Sequence, residues 1–220
     1  MKNIILIIVE MLICYLSLTI LYKKYKTDGL YVYGIIATLV SCIMSLKQID
    51  LMGVNISIGL ATTISIIIAG NLITQKRGPQ ELVTYLSLIL ITALVSCCFL
   101  NLSGLIESSK YNELANKSYD SIFKYNLRIY IALIVSLLSS TYLSSKLYYL
   151  IKRLQNKIIL SNIFSIIIVE LLDSALFALI AFLFEYNTID LIICIVIRYI
   201  IKTIIGILGT IPIYIANKIS

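Results

Sequence analysis

Apolar and polar positions fall along this chain in long blocks and do not alternate residue by residue. Seven apolar runs stand out, at residues 4–21, 30–46, 53–74, 82–102, 125–149, 161–184 and 191–215. A helix of about 20 residues is roughly 30 Å long, the thickness of a hydrocarbon core, so each run is read as a membrane crossing. The pattern predicts an all-α fold: a polytopic integral membrane bundle of six to seven transmembrane helices, forming one transmembrane domain over residues 1–220. The count is six if the short run at 30–46 is re-entrant. The first run is too long for a signal-peptide core and is not followed by a small-residue cleavage site, so it is read as a span. Glu10 lies within it and is read as an acid near the interface or facing a neighbouring helix.

The polar blocks punctuate the runs. Lys23, Lys24 and Lys26 follow the first, and Lys76-Arg77-Gly78-Pro79 follows the third, with Gly-Pro as a helix stop and restart. Residues 107–124 form the one long polar connector. The third run carries Gly59, Ala61, Thr62, Thr63, Ala69 and Gly70, small surfaces suited to close helix packing.

Composition agrees with the pattern: 60% of residues are hydrophobic and 13% charged, with mean hydropathy +1.00. The net charge of +7 does not imply nucleic-acid binding, because the basic residues sit in short loops between apolar runs. With seven crossings, the loops and termini on the C-terminal side hold ten Lys and Arg, against five on the other. The C-terminus is therefore expected in the cytoplasm of a multi-pass protein of the cell (plasma) membrane. Five cysteines all lie in apolar runs without zinc-type spacing, and the chain has no histidine. Ser–His and Cys–His nucleophile pairs, HExxH metalloproteases and histidine proton shuttles are excluded, and no metal or cofactor is expected. The chain is read as a non-enzyme.

The candidate chemistry lies in the last two runs. Glu170 and Asp173 are three residues apart, on one helix face near the middle of the sixth run. Arg198 and Lys202 share a face of the seventh. The connector at 185–190 is short, so the two helices are expected to be antiparallel neighbours. Asp173 lies as far before that connector as Lys202 lies after it, which puts both at one depth, near the midplane. Arg198 is nearer the outer interface, where it could instead snorkel. Four charges in such a bundle are either a register-fixing ion cluster or the lining of a hydrated solute pocket, and their desolvation cost favours the pocket.

Several segments together resemble a known family. They are Ala69-Gly70-Asn71-Leu72-Ile73-Thr74, Tyr119-Asp120-Ser121-Ile122-Phe123 with Arg128, Tyr149-Leu150-Ile151-Lys152, Glu170-Leu171-Leu172-Asp173-Ser174-Ala175-Leu176-Phe177, Lys202, and Thr210-Ile211-Pro212-Ile213-Tyr214. This pattern is similar to the VUT family of membrane proteins, the queuosine precursor transporters, over most of residues 30–217. The chain departs from the family in having Asn71 in place of an acid, Glu170 in place of an amide, and hydroxyl residues around 141–145 in place of Gln and Asp. The resemblance implies import of a 7-deazaguanine base such as queuine, preQ0 or preQ1. Independently of the family, a carboxylate at 170 or 173 can accept paired N–H donors from an aminopyrimidinone edge. The other carboxylate would then pair with Lys202 or with a cationic aminomethyl group on the solute, and Tyr199 could stack on the heterocycle.

The expected substrate-binding set is thus Glu170, Asp173, Lys202, Arg198, Asn71, Arg128 and Tyr199. The expected partners are a purine-like solute and the lipid bilayer, with no nucleic acid and with homo-oligomer formation left open. Two other readings fit the same residues: the substrate-binding membrane subunit of an ATP-driven vitamin or base importer, and a non-transporting assembly or sensor protein.

Overall fold

A computed structural model of the chain describes residues 2–51, 53–106, 116–119 and 127–219. Most of the 107–124 connector, and Asp120–Phe123 of the motif above, lie outside the described residues. Helix α1 spans Lys2–Met44, a β-hairpin of β1 (Gln48–Leu51) and β2 (Val54–Ser57) follows, and α2 is Leu60–Arg77. Then come α3 (Glu81–Leu105), α4 (Leu127–Gln155), α5 (Ile158–Phe182), α6 (Thr188–Leu208) and α7 (Thr210–Ile219). The all-α membrane bundle expected from the apolar runs is the fold observed. Among the described residues five helical stretches are long and apolar enough to cross a membrane: Asn3–Met44, Glu81–Leu105, Leu127–Gln155, Ile158–Phe182 and Thr188–Lys218.

The first stretch is 42 residues long, about 63 Å as a straight helix and twice a hydrocarbon thickness. It does not run straight. Lys26 leaves helical geometry at φ 54° and ψ −137°, inside the basic segment that separates the first two apolar runs. The chain reverses there, and Asn3 Nδ2 from the start of the first limb donates to Asp50 O beyond the end of the second at 3.0 Å.

The third apolar run differs from expectation. Residues 54–57 are strand, paired antiparallel in the register Gln48↔Ser57, Ile49↔Ile56, Asp50↔Asn55 and Leu51↔Val54. Three features make the local choice. Ile49, Leu51, Val54 and Ile56 recur within each strand at the period of two that a strand needs. Gly53 takes φ +82° in the turn, where Asp50 Oδ1 accepts its N–H at 3.1 Å. Gly59 takes φ +84° immediately before α2, so a helix cannot run through it.

Helix α2 is the axis of the bundle. Every residue from Leu60 to Thr74 is buried, and α1, α3, α4 and α6 pack around it. Its small and hydroxyl-bearing residues let those neighbours approach closely. The outer faces of the surrounding helices carry large apolar side chains without polar cover. Leu16, Ile91, Phe99, Ile131, Ile168 and Ile200 are all exposed, as a lipid-facing surface requires.

The last apolar run is also divided, with α6 ending at Leu208 and α7 starting at Thr210. At Gly209 an added Cβ would come within 2.0 Å of Ile68 Cδ1 on α2, so this joint depends on the missing side chain. A similar approach fixes α1 against α3. A Cβ on Gly34 would lie 2.4 Å from the ring of Tyr85, which is fully buried and donates to Ile66 O at 2.9 Å. Gly34→Ala should therefore displace the Tyr85 ring and lower stability by about 1–3 kcal/mol. Leu94→Ala, on the exposed face of α3, should change it by less than about 0.5 kcal/mol. Thermal unfolding of the two variants in the same detergent measures the difference.

Candidate functional site

The inner face of α5 is a polar stripe within an apolar helix. Asn162, Ser165, Glu170, Asp173 and Ser174 are buried, while Phe164, Ile168, Leu171 and Leu172 face outward. Helix α6 buries Leu191, Cys194, Arg198, Lys202, Ile205 and Gly206, which recur at helical spacing along one side. Pairing these two stripes brings the charges together. Lys202 Nζ lies 3.0 Å from Glu170 Oε2 and also bonds Asp173 Oδ2. The equal depth inferred from the short connector is the depth at which they meet.

The triad is enclosed. Lys202 and Glu170 have 0% side-chain exposure and Asp173 has 2%. An open, hydrated pocket at these charges is not what this conformation contains. With no solute between them, opposite charges in a low-dielectric interior draw together and close the space. The polar demand of the site is nevertheless not met by the protein. Glu170 Oε1, Ser174 Oγ and Arg198 Nε are buried without a hydrogen-bond partner among the described residues. Buried polar atoms are ordinarily paired, so this conformation leaves polar groups of α5 and α6 unsatisfied.

Arg198 does not join the triad and does not snorkel. It is 3% exposed, donates from Nη1 to Ser57 Oγ at 2.7 Å, and lies with Cζ 3.9 Å from the Phe177 ring centre. Its partners come from the hairpin and from α5, one turn of α6 away from Lys202. The hairpin that replaces the start of the third run thus supplies the hydroxyl that holds Arg198 inside. Tyr199 is half-buried at the flank of the α6 stripe.

Asn71 is brought to a different layer. Its Oδ1 accepts from Ser144 Oγ at 3.2 Å and Ser145 Oγ at 3.1 Å. Its Nδ2 donates to Asn162 Oδ1 at 3.2 Å. Asn162 Nδ2 in turn donates to Gly206 O at 3.3 Å and Thr210 Oγ1 at 3.2 Å. This chain of amides and hydroxyls joins α2, α4, α5, α6 and α7. Asn162 precedes Glu170 by eight residues on α5, about 12 Å at 1.5 Å per residue, so the amide layer and the charge layer are stacked along the bundle.

Arg128 is at neither layer. It sits near the start of α4, donates from Nε to Ile180 O at 2.7 Å, and lies 3.7 Å from Glu185 Oε1. It ties α4 to the end of α5, away from the other expected site residues. Reasoning from the sequence alone misses Ser57, Phe177 and Asn162 as parts of these layers. Of these only Asn162 carries a usable signal, as an amide on the same α5 face as Asp173, about three turns earlier.

The triad also makes a stability statement. Lys202→Met leaves two carboxylates buried without their cation and should cost about 3–5 kcal/mol. Combining it with Glu170→Gln and Asp173→Asn should recover only part of that loss, because the two carboxylates are then gone but buried Arg198 loses its nearby counter-charges. Unfolding midpoints of the single and triple variants test this non-additivity.

A family model described as "Putative vitamin uptake transporter" matches residues 57–216. No curated relative and no solved structure matches the chain. The family match begins at Ser57, the residue that holds Arg198, and runs through the amide layer and the charge triad to α7. The chain is a multi-pass membrane transporter without enzymatic function, and it belongs to the vitamin uptake transporter family.

Proposed function

We propose that this chain imports a queuosine precursor, a 7-deazaguanine base such as queuine, preQ0 or preQ1, across the plasma membrane into the cytoplasm. The observation that carries the reading is the enclosed Glu170–Lys202–Asp173 triad, with Glu170 Oε1 and Arg198 Nε left without protein partners among the described residues. A carboxylate accepts the side-by-side N–H donors of an aminopyrimidinone edge, and Lys202 has two carboxylates. One can turn to the solute while the other keeps the ammonium neutralised, so no charge is stranded during binding. Asp173 and Glu170 are the proposed acceptors, Lys202 the counter-ion, and Arg198 Nε a donor for the base's carbonyl. Tyr199, at the flank of the stripe, is proposed to stack on the ring once the helices separate.

In this reading the enclosed triad is the solute-free state, in which intramolecular pairing stands in for the solute. Gly206 and Gly209 support the change, because both are close contacts of α6 and its joint against α5 and α2. Added Cβ atoms there would meet Ile166 at 2.6 Å and Ile68 at 2.0 Å. The surplus of Lys and Arg in the loops on the C-terminal side supports a cytoplasmic C-terminus.

Cells lacking their own carrier, expressing this chain, should accumulate labelled queuine or one of its precursors above the vector control. The triple variant Glu170→Gln, Asp173→Asn, Lys202→Met should insert and fold yet transport at least tenfold more slowly. Background uptake of all three bases by the inserted wild type, or wild-type uptake by the triple variant, rejects the proposal. Orientation is checked separately in a cysteine-free background: Lys218→Cys, at an exposed position near the end of α7, should react with a membrane-impermeant maleimide only after the cells are opened.

A further inference from the structure

The two limbs of α1 border a cavity of 650 Å³, open on the side where Leu6, Ile13 and Ile36 are exposed, to whose wall no member of the triad contributes. All of its lining except Ile58 and Thr62 lies outside the family-matched stretch, and the transport reading makes no use of it. Most of the wall is aliphatic, from Leu6, Ile13, Ile36, Ala37, Val40 and Met44. Glu10 is the sole acid of that wall. It is half-buried in the first limb, and its Oε1 accepts the N–H of Thr62 at 3.1 Å. Glu10 thereby caps the start of α2, whose own preceding residue, Gly59, offers no side chain for the purpose.

The first turn of α2 offsets part of the Glu10 charge, and the carboxylate also lines the cavity. A serine or an amide caps as well, and a carboxylate within a membrane span is costly unless it is paired. Among the described residues no cation pairs with Glu10. Lys47, the one base of the lining, is exposed at the rim next to the hairpin. A lipid chain would fill the aliphatic wall but would leave the carboxylate facing hydrocarbon. The volume falls within the range of sites for small organic ligands, about 300–1,000 Å³.

From this geometry we infer that the α1 cavity is a binding site for an organic monocation: an amine with an aryl or alkyl body, its ammonium paired with Glu10 and its body against the two limbs. Tyr33, from the second limb, adds a hydroxyl to the cavity wall. Because Glu10 also caps α2, an occupant of the cavity touches the helix that carries Asn71. The inference does not rest on the identity of the transported base.

The test uses the full chain in nanodiscs of zwitterionic phosphatidylcholine and two probes of equal size, 4-phenylbutylammonium and neutral 4-phenylbutanol, measured by titration calorimetry. The wild type should bind the amine at least tenfold more tightly than the alcohol. Glu10→Gln keeps a capping oxygen, so it should fold, bind the alcohol as before and lose the tenfold preference. Ala37→Phe, which fills the cavity, should weaken both probes at least tenfold. Equal affinity of the wild type for the two probes means a lipid-like groove and overturns the inference. So does a preference that survives Glu10→Gln, or amine binding untouched by Ala37→Phe. If Glu10→Gln does not fold, the two probes on the wild type and on Ala37→Phe decide the matter.

Discussion

The bundle is organised by one ammonium held between two carboxylates where water does not reach. Separating Lys202 from Glu170 and Asp173 would leave at least one full charge in a low-dielectric interior, at a cost of several kcal/mol. That cost sets the register of α5 against α6 and turns both polar stripes inward. Once they face inward, the opposite faces of both helices are left with Ile and Leu, which meet lipid. Under the proposed function the same constraint lets a solute replace one arm of the triad without stranding a charge.

The rest of the interior is arranged around a helix that a membrane would not accept by itself. Helix α2 has Thr, Ser, Gly and Asn among its isoleucines and is buried along nearly its whole length. Asn71 uses both ends of its amide, drawing on hydroxyls of α4 and the amide of Asn162. These neutral bonds do not carry the desolvation penalty of charges, and they join five helices at a depth different from that of the triad. Polar layers stacked along an apolar bundle give each helix more than one fixed point. A helix can then pivot at one layer while the other stays closed. Gly206 and Gly209 lie where such a pivot would fall on α6 and α7, against Ile166 and Ile68.

Much of this was legible in the residues. The apolar runs gave the class of fold, because few arrangements other than a helix bundle can satisfy backbone hydrogen bonds across about 30 Å of hydrocarbon. The meeting of Asp173 with Lys202 was legible too, since a short connector forces antiparallel helices and equal offsets from it force equal depth. The hairpin at Gln48–Ser57 was not. Its second strand falls inside the third apolar run, and hydropathy does not distinguish a period of two within so short a segment from the start of a span. The place of Arg198 was hidden for the same reason: the hydroxyl that keeps it inside belongs to Ser57, whose position follows only from the hairpin. Arg128 has the charge expected of a site residue but lies at the wrong end of α4, where Ile180 O and Glu185 are its neighbours.

By itself the sequence determined that this chain enters a membrane, that its termini and loops differ in charge, and that acids and bases from its last two long runs must face one another. These follow from local composition and from the length of one connector. Tertiary structure alone decided which charges touch, which layer Asn71 joins, and that Glu10 caps a helix 52 residues further on while facing a cavity. Contacts of that kind depend on how helices rotate and how closely their small residues let them approach. That rotation is set by the sum of all neighbours, which no single stretch of sequence contains.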